Sequence, residues 1–160
     1  METKQGKWTK GAMLVLALLM AWHGSASAEP VVTAERLIGQ GETWGDNRGT
    51  FINKIHGKQG QPWCAYFVSY VMGLDKPIPN ARGFLKAYPR VLQPRRGDVV
   101  VWSRGNGPTG HVGVIKAVYN GYFEAIEGNT GKFPSRVRVI RHKWGERNLL
   151  GFVRPKKRGI

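Results

Sequence analysis

Cys64 is the residue whose chemistry stands out, because it is the only cysteine among 160 residues. Disulfides need pairs, so its thiol has no partner within the chain. It lies at the start of an apolar stretch, Trp63–Met72, between Pro62 and Gly73, residues typical of the two ends of a helix. Backbone N–H groups at a helix N-terminus favour a thiolate over a thiol. Cys64 is therefore either a buried small hydrophobe or a nucleophile.

Three polar residues further along the chain could serve such a nucleophile. His111 opens a predicted strand after a glycine-rich loop, and Glu127 and Asn129 end the next predicted strand. A histidine at a sheet edge could exchange a proton with Cys64, although a lone histidine would as readily be a surface residue. Either Glu127 or Asn129 could orient the imidazole, and the sequence leaves that choice open.

Whether His111 and Glu127 share a face depends on the register of their hairpin, because side chains alternate along a strand. The two-residue turn Asn120–Gly121, attractive on local signal alone, would separate them onto opposite faces. A three-residue loop over Tyr119–Gly121, ending in a left-handed glycine, would bring them together and place Asn129 directly opposite His111. We predict the three-residue loop because it assembles the site.

The same register makes two further predictions about the hairpin. Lys116 should lie opposite Glu124, because cross-strand pairs of opposite charge are favourable. Gly113 should lie opposite Glu127 and leave room for its carboxylate.

The order of the predicted elements indicates an α+β domain, with helices first and an antiparallel sheet after them. The predicted helices are Val31–Ile38, Phe51–Ile55, Trp63–Met72 and Ala81–Ala87. The predicted strands are Asp98–Trp102, His111–Val118, Tyr122–Glu127, Arg136–Arg141 and Leu149–Arg154.

Residues 1–28 have the pattern of a secretory signal peptide. Lysines within the first ten residues precede the uncharged apolar run Ala12–Trp22, and small residues follow up to Ala28. The run is short for a membrane span, although an uncleaved anchor is the alternative. Cleavage would leave residues 29–160 as one exported domain, periplasmic or secreted, with no membrane span.

The chain carries 25 Lys and Arg against 10 Asp and Glu, a formal net charge of +15. Removing residues 1–28 takes away three lysines and one glutamate, so about +13 remains. Such a charge steers a protein toward polyanions, among them anionic cell-wall polymers. The export signal argues against nucleic acid as a partner. The basic run in residues 154–160 is expected to be a solvated tail.

Four short segments, taken in order, carry a resemblance to a known family: Gln61–Ser69, Gly97–Trp102, Gly110–Val114 and Ile126–Asn129. They resemble the CHAP family of peptidoglycan amidases and endopeptidases, within the wider NlpC/P60-like, papain-like group. The resemblance extends over roughly residues 31–153. It implies a papain-like half-barrel whose N-terminal helices pack on the antiparallel sheet.

The resemblance also implies a role for each candidate residue. Cys64 would be the nucleophile and His111 the base. Glu127 would be the third catalytic residue, with Asn129 as an auxiliary polar group.

Three further residues, Gln61, Trp63 and Trp102, are candidates for contacts with the substrate or the oxyanion. For Gln61 the alternative is ordinary loop solvation, and for Trp102 it is core packing. Neither a metal nor a cofactor is expected: the histidines show no zinc spacing, and the loop with Glu42, Asp46 and Asn47 offers too few oxygens for calcium.

The sequence is therefore interpreted as an exported cysteine hydrolase that cleaves amide bonds of peptidoglycan through a thioester. It would be either an N-acetylmuramoyl-L-alanine amidase or a peptide endopeptidase, and the sequence does not choose the bond. The alternative is a non-catalytic cell-wall-binding module with the same fold. We expect a monomer.

Overall fold

The computed structural model describes residues 30–156. The predicted signal peptide and residues 157–160 of the basic tail lie outside the described residues. The helices are α1 Pro30–Arg36, α2 Thr50–Lys54, α3 Cys64–Val71 and α4 Gly83–Ala87. The strands are β1 Arg90–Val91, β2 Val99–Ser103, β3 Gly110–Val118, β4 Tyr122–Thr130, β5 Arg136–Lys143 and β6 Leu149–Val153. In residues 30–156, no helix is long and apolar enough to cross a membrane.

The predicted α+β class is confirmed, and each predicted helix and strand is found close to its expected position. Strand β1 was missed because its two residues have no alternating pattern and pair with β6. Arg154, assigned to the tail, belongs to the folded domain instead. Its guanidinium donates two hydrogen bonds of 2.8 Å to the buried carboxylate of Asp98.

The six strands form one antiparallel sheet in the order β1-β6-β2-β3-β4-β5. Strands β2 to β5 follow one another as neighbours, and β6 then returns to pair with β2. The short connection between β5 and β6 must therefore cross the space in front of β4, β3 and β2.

The helices cover one face of the sheet. Val99 and Val101 of β2 point to this face and share a core with residues of α1 to α4. Helix α3 packs closely on β4 at Gly128. A Cβ on this glycine would lie 2.5 Å from the Trp63 ring and 3.0 Å from Phe67. The absence of a side chain at Gly128 thus lets the helix bearing Cys64 approach the sheet.

The other face is concave. The rings of Trp102 on β2 and His142 on β5 have centroids 4.5 Å apart, although β3 and β4 lie between their strands. In a flat sheet, strands three spacings apart would be about 14 Å from each other. Trp144 helps to close this face and lies 5.0 Å from Phe123 between ring centroids. The candidate site lies at one end of the sheet, where His111 and Glu127 of this face meet the N-terminus of α3 from the helix-covered face.

Candidate active site

Cys64 is the first residue of α3, and its side chain is nearly enclosed, with 5% of the residue exposed. The thiol lies close enough to His111 for the two groups to interact, and this interaction raises the pKa of His111. The start of the helix is fixed by the preceding residue, because the Trp63 indole N–H donates to Glu42 Oε1 at 3.2 Å. A thiol beside an imidazole at a helix N-terminus is the arrangement in which cysteine acts as a nucleophile.

His111 is held on its other side by Glu127. The distance from His111 Nε2 to Glu127 Oε2 is 2.7 Å, and the two residues are only 7% and 2% exposed. Gly113 lies opposite Glu127, as predicted. A Cβ on Gly113 would lie 2.7 Å from Glu127 Cγ. The glycine therefore provides the space that the carboxylate occupies.

These contacts change the acid–base properties of both groups. Burial alone would lower the pKa of His111, but its hydrogen bonds and charge interactions with Cys64 and Glu127 raise that pKa from 6.5 to about 9. Burial would raise the pKa of Glu127, yet the two histidines bonded to it, His111 and His142, lower that pKa below its usual value. The arrangement thus favours an imidazolium beside an ionised carboxylate.

Sequence reasoning missed the second of these histidines. His142 Nε2 lies 2.6 Å from Glu127 Oε1, and its Nδ1 lies 3.0 Å from Glu146 Oε2. The spacing of His142 and Glu146 along the chain is visible in the sequence. The contact with Glu127 was not predictable from that spacing, because it depends on the pairing of β5 with β4.

Arg104 also reaches the imidazole. One terminal nitrogen of its guanidinium lies 3.1 Å from His111 Nδ1 and 3.5 Å from the main-chain oxygen of Asn129. A guanidinium can only donate, so the contact with Nδ1 is a hydrogen bond while that nitrogen is unprotonated. Because Nε2 faces Glu127, Nδ1 is the nitrogen left for proton exchange with Cys64, and Arg104 lies at that nitrogen.

Within the described residues, the side chain of Asn129 makes no hydrogen bond to the imidazole; its main-chain oxygen only faces Arg104. The predicted pairing of His111 with Asn129 is wrong: the β3–β4 ladder begins at Gly113 and Glu127. The physical reason is that Asn129 has a left-handed backbone with φ 58°, within an irregularity of the β4–β5 ladder. Among the described contacts, Glu127 is the carboxylate that orients the imidazole.

The predicted three-residue loop is also wrong. The Tyr119 N–H donates to the Tyr122 carbonyl at 2.9 Å across Asn120 and Gly121, a two-residue turn. Gly121 is left-handed as predicted, with φ 95°. A bulge between Ile115 and Ala117 then restores the predicted register at the site. The turn end of the hairpin therefore has the register of a two-residue turn, and the site end has the register that was predicted.

The predicted contact between Lys116 and Glu124 is present, with 3.2 Å from Nζ to Oε2. Their backbones are not paired directly, because Ala117 takes the position opposite Glu124. The bulged residue is Lys116 itself, and its carbonyl accepts a hydrogen bond of 3.1 Å from Arg96.

The three remaining candidates differ in their exposure to solvent. Gln61 is exposed in the loop before α3. Trp63 is fully buried, and Trp102 is 2% exposed, so both indoles pack within the protein and line no open groove. The Trp102 ring instead lies beside both histidines in tilted arrangements, with ring centroids 5.7 Å from His111 and 4.5 Å from His142.

The loop before α2 is organised by a buried carboxylate whose role the sequence did not reveal. Glu42 accepts hydrogen bonds from the main-chain N–H groups of Asn47 and Ser135, at 3.0 and 2.7 Å, besides that from Trp63. N–H donors thus occupy both of its oxygens. Within residues 30–156, no group of three or more His, Cys, Asp or Glu could hold a metal ion.

Comparison with known proteins identifies the domain that carries this site. No curated protein matches the chain. The family model described as the CHAP domain matches residues 56–129. The match includes Cys64, His111 and Glu127, and ends before His142. Residues 56–129 of this chain therefore belong to the CHAP domain family.

Proposed function

We propose that the protein is an exported cysteine hydrolase that cleaves amide bonds in peptidoglycan. The CHAP domain indicates a function related to peptidoglycan hydrolysis. The observation that carries the finer proposal is the grouping of a buried thiol, an imidazole and a carboxylate, in which Cys64 lies beside His111 and His111 is hydrogen-bonded to Glu127. A module that only bound the cell wall would not require these three groups to be joined.

In the first step, the Cys64 thiolate attacks the carbonyl carbon of a peptide or amide bond. The free N–H groups in the first turn of α3 would stabilise the oxyanion that forms. The C–N bond then breaks, and the His111 imidazolium gives its Nδ1 proton to the leaving amine. The products of this step are a free amine and a thioester on Cys64.

In the second step, water attacks the thioester, and neutral His111 accepts its proton. The C–S bond breaks, the acid is released, and the proton returns the site to its starting state. Glu127 stays ionised throughout and holds the imidazole in one orientation. Arg104 can donate to Nδ1 only while His111 is neutral, so it must leave Nδ1 whenever His111 is an imidazolium, including before the first step.

Several other features support the proposal. The concave sheet with helices on one face agrees with a papain-like half-barrel. Residues 1–28 agree with export to the periplasm or beyond. The positive charge would bring the protein to anionic wall polymers. We propose that it works as a monomer, without a metal or cofactor.

The experiment is digestion of purified peptidoglycan, with the released ends identified by mass spectrometry. We expect new free amines without new reducing sugars, and loss of this release in Cys64→Ser, a variant that changes one atom at the site. The position of the new amine distinguishes an amidase from an endopeptidase. Binding of the wall by a folded wild-type protein without release of amines would instead favour a binding module.

A further inference from the structure

His142 makes contacts that a surface histidine does not need. Its two ring nitrogens face two different carboxylates, Glu127 at 2.6 Å and Glu146 at 3.0 Å. Its ring lies against Trp102 and against Phe123, the latter at 5.3 Å between centroids. The side chain is 14% exposed. The ring is therefore fixed in position and in orientation.

The hydrogen bonds assign the protonation of this imidazole. An ionised carboxylate only accepts hydrogen bonds, so each nitrogen that faces one must carry a proton. A neutral imidazole has one N–H, and two are needed here. His142 is therefore a cation held between Glu127 and Glu146. In agreement, burial would lower the pKa of His142, but the hydrogen bonds and charges of these carboxylates raise it.

The positive charge and the hydrogen bond of His142 act on Glu127 and, through this carboxylate, on His111. Glu127 divides its two oxygens between the two imidazoles, Oε2 to His111 and Oε1 to His142. The second bond prevents the carboxylate from rotating away from His111. The positive charge of His142 also offsets part of the negative charge that His111 experiences.

We propose that His142 is a positioning residue for hydrolysis, which aims the Glu127 carboxylate at His111 and moderates its charge. This inference rests on the proposed function of the same site. The charged or titratable groups that face His142 are Glu127 from β4 and Glu146 from the β5–β6 connection, with His111 one carboxylate away. The groups packed on its ring, from β2 and β4, are uncharged.

The decisive variant is His142→Gln, which keeps an amide N–H for Glu127 and removes the charge. We expect the pKa of His111, followed by NMR of its imidazole, to rise by about one unit, the size typical of losing one nearby unit charge. Lys143→Gln is the matched control, since it removes an exposed positive charge from the next position of β5. It should leave the His111 titration within about 0.2 units.

A second variant, His142→Phe, keeps an aromatic ring but donates no hydrogen bond. We expect kcat for wall hydrolysis to fall roughly tenfold or more with little change in KM, because the carboxylate loses its orientation. His142→Gln should retain more of kcat than His142→Phe. Thermal unfolding of each variant separates this effect from a loss of folded protein.

The titration requires no turnover, so it remains informative if the wild-type protein does not hydrolyse peptidoglycan. That result would remove the proposed function. An unchanged pKa of His111 in folded His142→Gln would overturn the electrostatic role of His142. Equal kcat in His142→Phe and wild type would overturn the positioning role.

Discussion

At the turn end of the β3–β4 hairpin, Tyr119 and Tyr122 hydrogen-bond across two exposed residues. At the other end, Gly113 lies opposite Glu127, and both residues are buried. The pairing register shifts by one residue between the two ends, and the bulge at Lys116 accounts for this shift.

The difference shows which force decides the register at each end. The turn follows local backbone preference, since glycine readily adopts the left-handed conformation of Gly121. The site follows burial, because shifting the register by one residue would move Glu127 to the other face of the sheet. A bulge adds one residue on one strand and lets both preferences be met. We therefore expect changes at the site end and the turn end to have separable effects.

The largest effect is expected from Gly113→Ala at the site end. The new Cβ would lie 2.7 Å from Glu127 Cγ and 3.1 Å from the carbonyl oxygen of Ile126, so the carboxylate must move away from His111. We expect kcat/KM for wall hydrolysis to fall between about 10²- and 10⁴-fold. Activity within twofold of wild type, in a variant that unfolds normally, would contradict the assigned packing.

The next largest effect is expected from pH, which should change the free energy of unfolding through His111 at the site end. The folded-state pKa of His111 is raised above its unfolded value, from 6.5 to about 9. Its contribution is therefore fully present below pH 6.5 and is lost as the pH rises through 9, by up to about 3 kcal/mol. Urea unfolding at pH 6 and pH 10 measures this loss, which should be smaller in His111→Gln. Equal losses in the two proteins would refute the coupling.

The smallest effect is expected at the turn end, from Gly121→Val. A β-branched residue resists the observed φ of 95°, so the free energy of unfolding should fall by about 1–2 kcal/mol. Because the bulge at Lys116 separates this turn from the site, kcat/KM should stay within about twofold of wild type. A loss of activity comparable to that of Gly113→Ala would show that the bulge does not insulate the site.

Much of this architecture was predictable from local patterns. The apolar run after Pro62 predicted the helix that begins at Cys64. After residue 97, alternating apolar segments separated by glycine-containing loops predicted the main strands. The prediction that His111 and Glu127 lie on the same face of the hairpin was also correct, because burial of one face fixes the register. The structure shows that Glu127 is hydrogen-bonded to His111, whereas the sequence had left Glu127 and Asn129 open as its partner.

Other parts of the site depend on tertiary structure and could not be predicted. His142 reaches Glu127 because β5 pairs with β4 and the sheet curls, which no spacing in the sequence reports. Arg104 reaches His111 from a glycine-rich loop whose path is irregular. The turn was mispredicted because the bulge at Lys116 lets one hairpin hold two registers, and no residue near Lys116 indicates that bulge in the sequence.

The most direct test of the account is detection of the thioester on Cys64. Wild-type protein is mixed with a peptidoglycan peptide, quenched in acid within milliseconds, and its intact mass and active-site peptide are measured. The account predicts an added mass equal to the acyl part of the substrate on Cys64, which mild hydroxylamine removes because it cleaves thioesters readily. The added mass should be absent in Cys64→Ala. Cleavage of the substrate by Cys64→Ala at the wild-type rate would contradict the account.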